Sequence, residues 1–520
     1  MSTIRGNPRA GRRSLKACAT GRSGRPEGLR YTRDVSLPEL FAPTFRDRAH
    51  AVALEWACQE YTFADLDARA NRMAAALAAR GLAKGDRLAL QIPNRLEYID
   101  LFLATTRLGI VLVPINVLYR EREAGHILRD ASPKALVAVT SDSYTGPDVS
   151  PANVWSVDEL AADAASRPAI EPRATLDADT PAAIVYTSGT TGAAKGAVIT
   201  HGALAANARN LVDAWRITSG DRFLLALPLF HVHGLGNGVH SWLLSGCRTR
   251  LLERFDHRSA AATFLDFRPT LFFGVPTMYV RMVEIDESAA RTIGAALRLC
   301  VSGSAPLPAQ VLEEFDARFG QRILERYGMT ETLMTLGNPY GGERRAGTVG
   351  KPFPGVAARI ATEAGDDAPV GEPGELLVKS PTLFAGYWNQ ADATAASYRD
   401  GWFATGDIAE RSADGYYTLC GRKSDLIISG GFNIYPREIE EVLADHPAVA
   451  EVAVASMADR LKGEVPVAFV VARTAPPVGA AELVDYCATR LASFKVPREV
   501  RFLEALPRNA MGKIEKKRLV

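Results

Sequence analysis

The chain has 520 residues, 47% hydrophobic and 23% charged, which excludes a disordered protein and is too long for one core, so roughly two to four domains are expected. Lys and Arg number 61 against 59 Asp and Glu, a formal charge of +2, so nothing implies a nucleic-acid-binding surface and any bound anion needs a local site. The six cysteines, at 18, 58, 247, 300, 420 and 487, form no CxxC and read as scattered thiols of a reducing, cytoplasmic compartment.

Residues 1–36 stand apart. Eight arginines between Arg5 and Arg33, with glycines and serines and few large apolar residues, predict a basic, disordered tail or a start placed too early. An organelle transit peptide shares that composition, but Gly6, Pro8, Gly11 and Gly21 oppose the amphipathic helix it needs. The longest apolar stretch, Leu108 to Leu118, is interrupted by Pro114 and Asn116, and a membrane helix needs roughly 20 apolar residues. No integral membrane association is expected.

From Tyr61 the pattern becomes regular. Thr62 can cap a helix with apolar positions Phe63, Leu66, Ala70, Met73 and Leu77, stopped by Gly81. A strand at Arg87 to Ile92, a helix at Glu97 to Leu108 and a strand at Ile110 to Val113 follow. The rhythm returns at Pro269 to Val275, Leu297 to Val301 and Gln321 to Glu325, which implies parallel βαβ units. Between about 345 and 420 glycines and prolines are frequent and runs are short, as in a small β subdomain with tight turns. Residues 421–520 read as a further α/β unit, with strands at Asp425 to Ile428, Ala450 to Ala455 and Val465 to Val471 and helices at Pro436 to Ala444 and Ala480 to Leu491. Periodicity alone therefore gives a multidomain α/β protein.

The most informative stretch begins at Tyr186 and ends at Lys195-Gly196. Gly189 and Gly192 let successive backbone N–H groups turn toward one anion. Thr187, Ser188, Thr190 and Thr191 add hydroxyls, and Lys195 adds a compact positive charge. The GxxxxGK[ST] spacing of the Walker loop is absent. Farther on, Tyr327 offers a flat face for a base, Thr330 a donor for a phosphate oxygen and Glu331 a hard oxygen ligand suited to Mg²⁺. Asp407 can accept from ribose hydroxyls, and Arg422 can grip the same sugar. His231 and His233 form a His-x-His pair with no third ligand cluster to complete a zinc site.

In these motifs the chain resembles the adenylate-forming enzymes: acyl-CoA synthetases, firefly-type luciferases and peptide-synthetase adenylation domains. Thr187-Ser-Gly-Thr-Thr-Gly-Ala-Ala-Lys195-Gly196 matches their phosphate loop, Tyr327-Gly-Met-Thr-Glu331 the adenine and magnesium motif, and Thr405-Gly-Asp407 the ribose motif. Gly421-Arg422-Lys-Ser-Asp425 matches the interdomain hinge and Asn509-Ala-Met-Gly-Lys513 the catalytic lysine motif. The resemblance spans about residues 37 to 520. It implies a large N-terminal part (37–420) of two parallel α/β sheet subdomains plus a small β subdomain, and a small mobile α+β C-terminal domain (421–520).

The resemblance also implies that Mg-ATP and a carboxylate give an acyl-adenylate and pyrophosphate, after which CoA displaces AMP. Gly303, Ser304, Ala305, Gly328 and Met329 join the nucleotide-binding set. Lys513 becomes the catalytic lysine, Gly430 and Gly431 the face along which CoA enters, and His231 the wall between acid and thiol. At the hinge position Ser424 replaces the usual Asp or Lys. A lysine about 4 Å from the charge that builds in adenylate formation contributes roughly 4 kcal/mol at an effective dielectric near 20.

Gly274-Val-Pro-Thr-Met-Tyr-Val-Arg281, together with the surroundings of Tyr327, is similar to malonyl-CoA synthetases in particular. That similarity implies that Arg281 and His231 receive a short dicarboxylate. Fatty or aryl acids, or loading of a carrier protein, are the alternative readings. The partners implied are the acid, ATP and CoA, with monomer and homodimer equally compatible.

Overall fold

The computed structural model describes residues 34–141, 153–172, 174–187, 194–429, 432–473, 478–509 and 513–520. The tail through Arg33, the phosphate-loop residues Ser188, Gly189, Thr190, Thr191 and Gly192, and Gly430 and Gly431 lie outside them.

Local chemistry sets the first elements as the pattern predicts. Thr62 accepts from the Asp65 amide (3.1 Å) while the Asp65 carboxylate accepts from the Thr62 amide (2.8 Å), a reciprocal cap that starts the helix Phe63–Ala79. Gly81, at φ +85°, ends that turn. Buried Phe63, Leu66, Ala70, Met73 and Leu77 form its inner face. The helix Leu96–Leu108 is buried along most of its length, which is why its pattern is less amphipathic.

Two large sheets follow from the strand–helix alternation. One has seven strands in the order Gly386–Tyr387, Lys195–Thr200, Pro181–Thr187, Val111–Pro114, Arg87–Gln91, Ala135–Ala138 and Val154–Ser156. Its last five strands are parallel, and the first two run antiparallel to their neighbours. The other has nine strands, with a parallel centre from Val52–Trp56 through Arg248–Leu251, Arg222–Leu225, Leu271–Gly274 and Leu299–Ser302 to Leu324–Met329. Strands buried on both faces read as continuous apolar runs, as Leu271-Phe-Phe-Gly274 does. One large apolar core links these two sheets, tying Leu54, Phe63 and Phe102 to Leu225, Trp242 and Phe273.

A five-stranded antiparallel sheet (Ala357–Ala361, Gly374–Lys379, Tyr398–Arg399, Trp402–Arg411 and Tyr417–Arg422) forms the small β part. Its last strand runs through position 420 to Arg422, so the sheet reaches slightly beyond the expected boundary. A 3-10 turn, Lys423–Asp425, then leads into the C-terminal sheet of Ile427–Ser429, Phe432–Ile434, Val449–Asp459, Gly463–Ala472 and Glu499–Phe502, backed by the helices Pro436–Ala444 and Ala480–Ala488. Among the described residues no helix is long and apolar enough to cross a membrane. The described cysteines are all free thiols.

Two histidines lie in the core. His201 Nδ1 accepts from the Leu37 amide at 3.2 Å and so ties the first helix, Leu37–Asp47, to the start of the helix His201–Ala214. His240 packs between the rings of Phe41 and Phe102, at 5.9 and 5.1 Å. Burial lowers His201 from 6.5 to about 4 and His240 to about 3. Below pH 6.5 the unfolded chain binds protons that the folded chain refuses, so stability is complete above that value and falls as pH drops toward 4. The expected loss is about 1.4 kcal/mol per pH unit for each histidine. Denaturation midpoints measured across that window should fall, and His240→Phe should make the fall shallower; an unchanged slope would remove His240 from the acid response.

Candidate active site

The motif residues come together where strands of both large sheets end, beside the small sheet. Thr187 closes the strand Pro181–Thr187 and Lys195 opens Lys195–Thr200, and the two are cross-strand partners. The backbone of the glycine-rich motif therefore leaves and returns at one point. Lys195 Nζ stands 5.1 Å from the centre of the Tyr387 ring. The Tyr387 hydroxyl donates to Glu331 Oε1 at 2.9 Å. Glu331 and Thr330 are both buried, just past the strand Leu324–Met329.

A second group lies on the small sheet. Asp407 and Arg422 are cross-strand partners, and Asp407 Oδ1 pairs with Arg422 Nε at 2.7 Å. Its other oxygen accepts from the Tyr327 hydroxyl. Burial raises the Asp407 carboxyl, and Arg422 draws it back down. The same burial holds the Tyr327 hydroxyl protonated, well above its ordinary range. Gly328 has no room for a side chain, because a Cβ there would come 2.0 Å from the Leu333 carbonyl oxygen. Met329 follows at the strand end, half-buried.

The third group is built around Arg326, 3% exposed on the same strand. Its guanidinium lies against Gly303, where a Cβ would approach Cζ to 2.3 Å and push the guanidinium aside. Among the described residues its Nε and Nη2 have no hydrogen-bond partner. Burial lowers this arginine to about 9. Ser304, at φ +72°, is a non-glycine residue in the left-handed region, a conformation that costs about 1–3 kcal/mol. Its hydroxyl lies 3.2 Å from His233 Nδ1, and Ala305 follows half-buried. His231 Nδ1 accepts from the His233 amide at 3.2 Å. Burial, then Lys513 and Arg326, lower His231 to about 3, so its imidazole is neutral at working pH.

Lys513 lies among all three groups. Burial lowers its pKa, as do Arg422 and Arg326, while Asp407 and Glu331 raise it. Its side chain is nonetheless exposed to solvent. Its amide donates to Asn509 Oδ1 at 3.0 Å, which anchors the end of the motif.

Two predicted residues stand elsewhere. Arg281, on the helix Pro276–Met282, is 55% exposed and pairs with Glu284 at 3.0 Å; it faces solvent because buried Tyr279 and Met282 take the inner face of that helix. Ser424 sits exposed in the turn between the small sheet and the C-terminal sheet, with its hydroxyl donating to Asp425 at 3.0 Å. Among the described residues no cluster of three His, Cys, Asp or Glu could hold a metal ion alone. Sequence reasoning missed Arg326 and Tyr387. An arginine inside an otherwise buried strand was a usable signal; Tyr387, 56 positions from Glu331, offered none.

Cations interleaved with carboxylates, beside the two strand ends that flank the serine- and threonine-rich motif, form a site suited to a nucleotide-using ligase that handles anions. Profiles of the AMP-binding enzyme family match residues 41–388, and those of the AMP-binding enzyme C-terminal domain match 438–513. The chain is 37% identical over 480 residues to a malonate–CoA ligase of Arabidopsis thaliana, covering 84% of this chain and 78% of the relative. It is also 37% identical to a long-chain-fatty-acid–CoA ligase, FadD13, of Mycobacterium tuberculosis, covering 88% and 92%. ATP-bound MatB from Rhodopseudomonas palustris superposes with a TM-score of 0.86 at 39% identity, covering 93% of this chain and 98% of that one. The chain belongs to the AMP-binding enzyme family, in its AMP-forming acid–CoA ligase branch.

Asp407→Ala removes the shared partner of Tyr327 and Arg422. The variant should lose most of the rise in melting temperature that ATP gives the unsubstituted protein; an undiminished rise would remove Asp407 from nucleotide binding.

Proposed function

We propose that the protein joins malonate, or a closely related short dicarboxylate, to CoA at the expense of ATP. The observation that carries this reading is Arg326, a buried guanidinium near His231 and Lys513 with two nitrogens that have no partner among the described residues. A buried cation without an anion is strongly unfavourable, and a guanidinium meets a carboxylate through two parallel hydrogen bonds. A plain fatty acid would bring an alkyl chain to that point and leave the charge unmet. A dicarboxylate offers one carboxylate for activation and the other for Arg326. The likeness to the Arabidopsis ligase and to MatB supports the same acid.

In the first half-reaction a carboxylate oxygen of the acid attacks the α-phosphorus of ATP. The bond from that phosphorus to the bridging oxygen breaks, and pyrophosphate leaves. Thr187, Lys195 and the glycine-rich turn between them would hold the β- and γ-phosphates, with Thr330 donating to the α-phosphate. Tyr327 would lie against adenine, and Asp407 and Arg422 would hold the ribose. Glu331 fits Mg²⁺, which takes one or two protein carboxylates and completes its shell with phosphate oxygens and water. The ion would neutralise charge between the phosphates, while Tyr387 orients the carboxylate that binds it. Lys513 would stabilise the charge that gathers where the two anions meet.

In the second half-reaction the CoA sulfur attacks the acyl carbon and AMP departs. Residues 421–520 would turn about the segment at Ser424, withdrawing Lys513 and presenting Gly430 and Gly431 to the pantetheine arm. The neutral imidazole of His231 would close the acid pocket without adding a charge that competes for the substrate. Arg281, which faces solvent, would become a second acid contact only by turning inward, and its exposed pair with Glu284 opposes that by only about 0–1 kcal/mol.

Pyrophosphate release over a panel of acids with Mg-ATP and CoA tests the substrate. Arg326→Gln should lower the malonate-to-butyrate ratio of kcat/KM about tenfold or more, by the usual worth of a charged hydrogen bond. Arg281→Ala should lower it less, because that guanidinium must first turn inward. An unchanged ratio in Arg326→Gln would remove it from acid recognition. Lys513→Ala should slow adenylate formation roughly 10²-fold or more while sparing the transfer of a preformed adenylate to CoA; an equal loss in both steps would sink the two-pose reading.

A further inference from the structure

The helix Glu121–Ala131 packs on the seven-stranded sheet through Ile127 and Leu128, in one apolar cluster with Ile184 and Val198. Those two residues belong to the strands Pro181–Thr187 and Lys195–Thr200, which carry the two ends of the glycine-rich motif. His126 and Asp130, four positions apart and so on one face of the helix, reach both ends.

The Tyr186 hydroxyl donates to Asp130 Oδ2 at 2.6 Å, and Tyr186 immediately precedes Thr187. On the neighbouring strand, His126 Nε2 lies 2.7 Å from the carbonyl oxygen of Ala194, the residue before Lys195. A carbonyl oxygen can only accept, so Nε2 carries the proton and donates. The His126 and Tyr186 rings meet edge to face, with centres 6.2 Å apart. A side chain at Gly196, the cross-strand partner of Tyr186, would crowd that ring, since its Cβ would stand 3.0 Å from Tyr186 Cζ.

The same turn of helix holds a third segment. The last carbonyls of a helix have no partner within it, and that of Asp130 accepts from Trp388 Nε1 at 3.1 Å. The Trp388 amide in turn donates to the Gly196 carbonyl at 2.7 Å. Trp388 follows Tyr387, the ring beside Lys195 Nζ. One helix end thus fixes the neighbours of Thr187, Lys195 and Tyr387.

We propose that His126 and Asp130 are positioning residues for the triphosphate, fixing the backbone at both ends of the glycine-rich motif so that Thr187 and Lys195 are set for the β- and γ-phosphates before ATP arrives. Backbone held in advance loses less freedom on binding, and the difference appears as affinity. The benefit falls on the triphosphate, because Tyr327, Asp407 and Arg422 lie on other strands.

This role presupposes the reading above, in which Thr187 and Lys195 hold those phosphates. Titration calorimetry of the full chain with Mg-ATP and with AMP tests it without the acid. Asp130→Ala and His126→Ala should each weaken Mg-ATP binding about tenfold or more, while AMP binding changes less than about twofold. His126→Gln, which keeps an N–H for the Ala194 carbonyl, should recover most of the loss. Tyr186→Phe removes the same bond as Asp130→Ala, so the two together should be little worse than either alone. If Asp130→Ala does not fold, Tyr186→Phe carries the same comparison. Unsubstituted protein that binds neither nucleotide would defeat the functional reading itself. A protein that binds both, and whose variants lose ATP and AMP alike or lose neither, would overturn the positioning role.

Discussion

Joining a carboxylate to a triphosphate means pressing anions together, and every feature of this cleft answers that repulsion. Lys513 stands at the centre, with Arg422 on the small-sheet side and Arg326 at the acid end. Cations held this close repel one another unless carboxylates are set between them, and Asp407 and Glu331 occupy those places. The depressed pKa of Lys513 measures the balance: burial and two guanidinium groups work against its charge, and two carboxylates sustain it. The site is polar, while the large sheets behind it share tightly packed apolar cores.

The surrounding fold carries the cost of holding these groups. Ser304 keeps a backbone conformation that suits glycine, and among the described residues buried Arg326 has two nitrogens, and buried Glu325 one oxygen, without a hydrogen bond. Each persists because neighbours leave it nowhere else to go: Gly303 presses on Arg326, His233 on Ser304 and Leu307 on Glu325. Such concentrations of unfavourable local choices mark places where recognition is bought with stability.

Much of this was legible in the chain. The cap at Thr62, the strand–helix alternation and the turn-rich small sheet follow from patterns that local chemistry enforces; the elements Phe63–Ala79, Arg87–Gln91, Leu96–Leu108 and Pro436–Ala444 formed within a residue or two of their expected ends, whereas Leu324–Met329 begins three residues late, Val449–Asp459 runs four residues on and Ala480–Ala488 stops three short. Tyr327, Glu331, Asp407, Arg422 and Lys513 belonged to short motifs whose chemistry made sense residue by residue. What could not be read was orientation. Arg281 lies on a short helix whose pattern does not say which face is inward, and packing of Tyr279 and Met282 turned it to solvent. Arg326 stands one position from Tyr327, where strand alternation sends neighbours to opposite faces. Only the three-dimensional arrangement reveals that the second of those faces also borders the cleft. Pairings such as Tyr387 with Glu331 depend on how separate sheets dock, which no local pattern encodes.

The strand Tyr417–Arg422 passes without a break from the grip on Asp407 into the turn at Ser424. A recombinant enzyme that borrows its C-terminal portion from a homologue would therefore inherit the donor's Arg422 or keep its own according to a crossover shifted by two or three residues. Junctions placed after Ser424 preserve the recipient's own Arg422–Asp407 pair, whereas junctions inside the strand bring in the donor's arginine together with its lysine. Modular exchange among these ligases is thus constrained less by overall similarity than by where a single β-strand is cut.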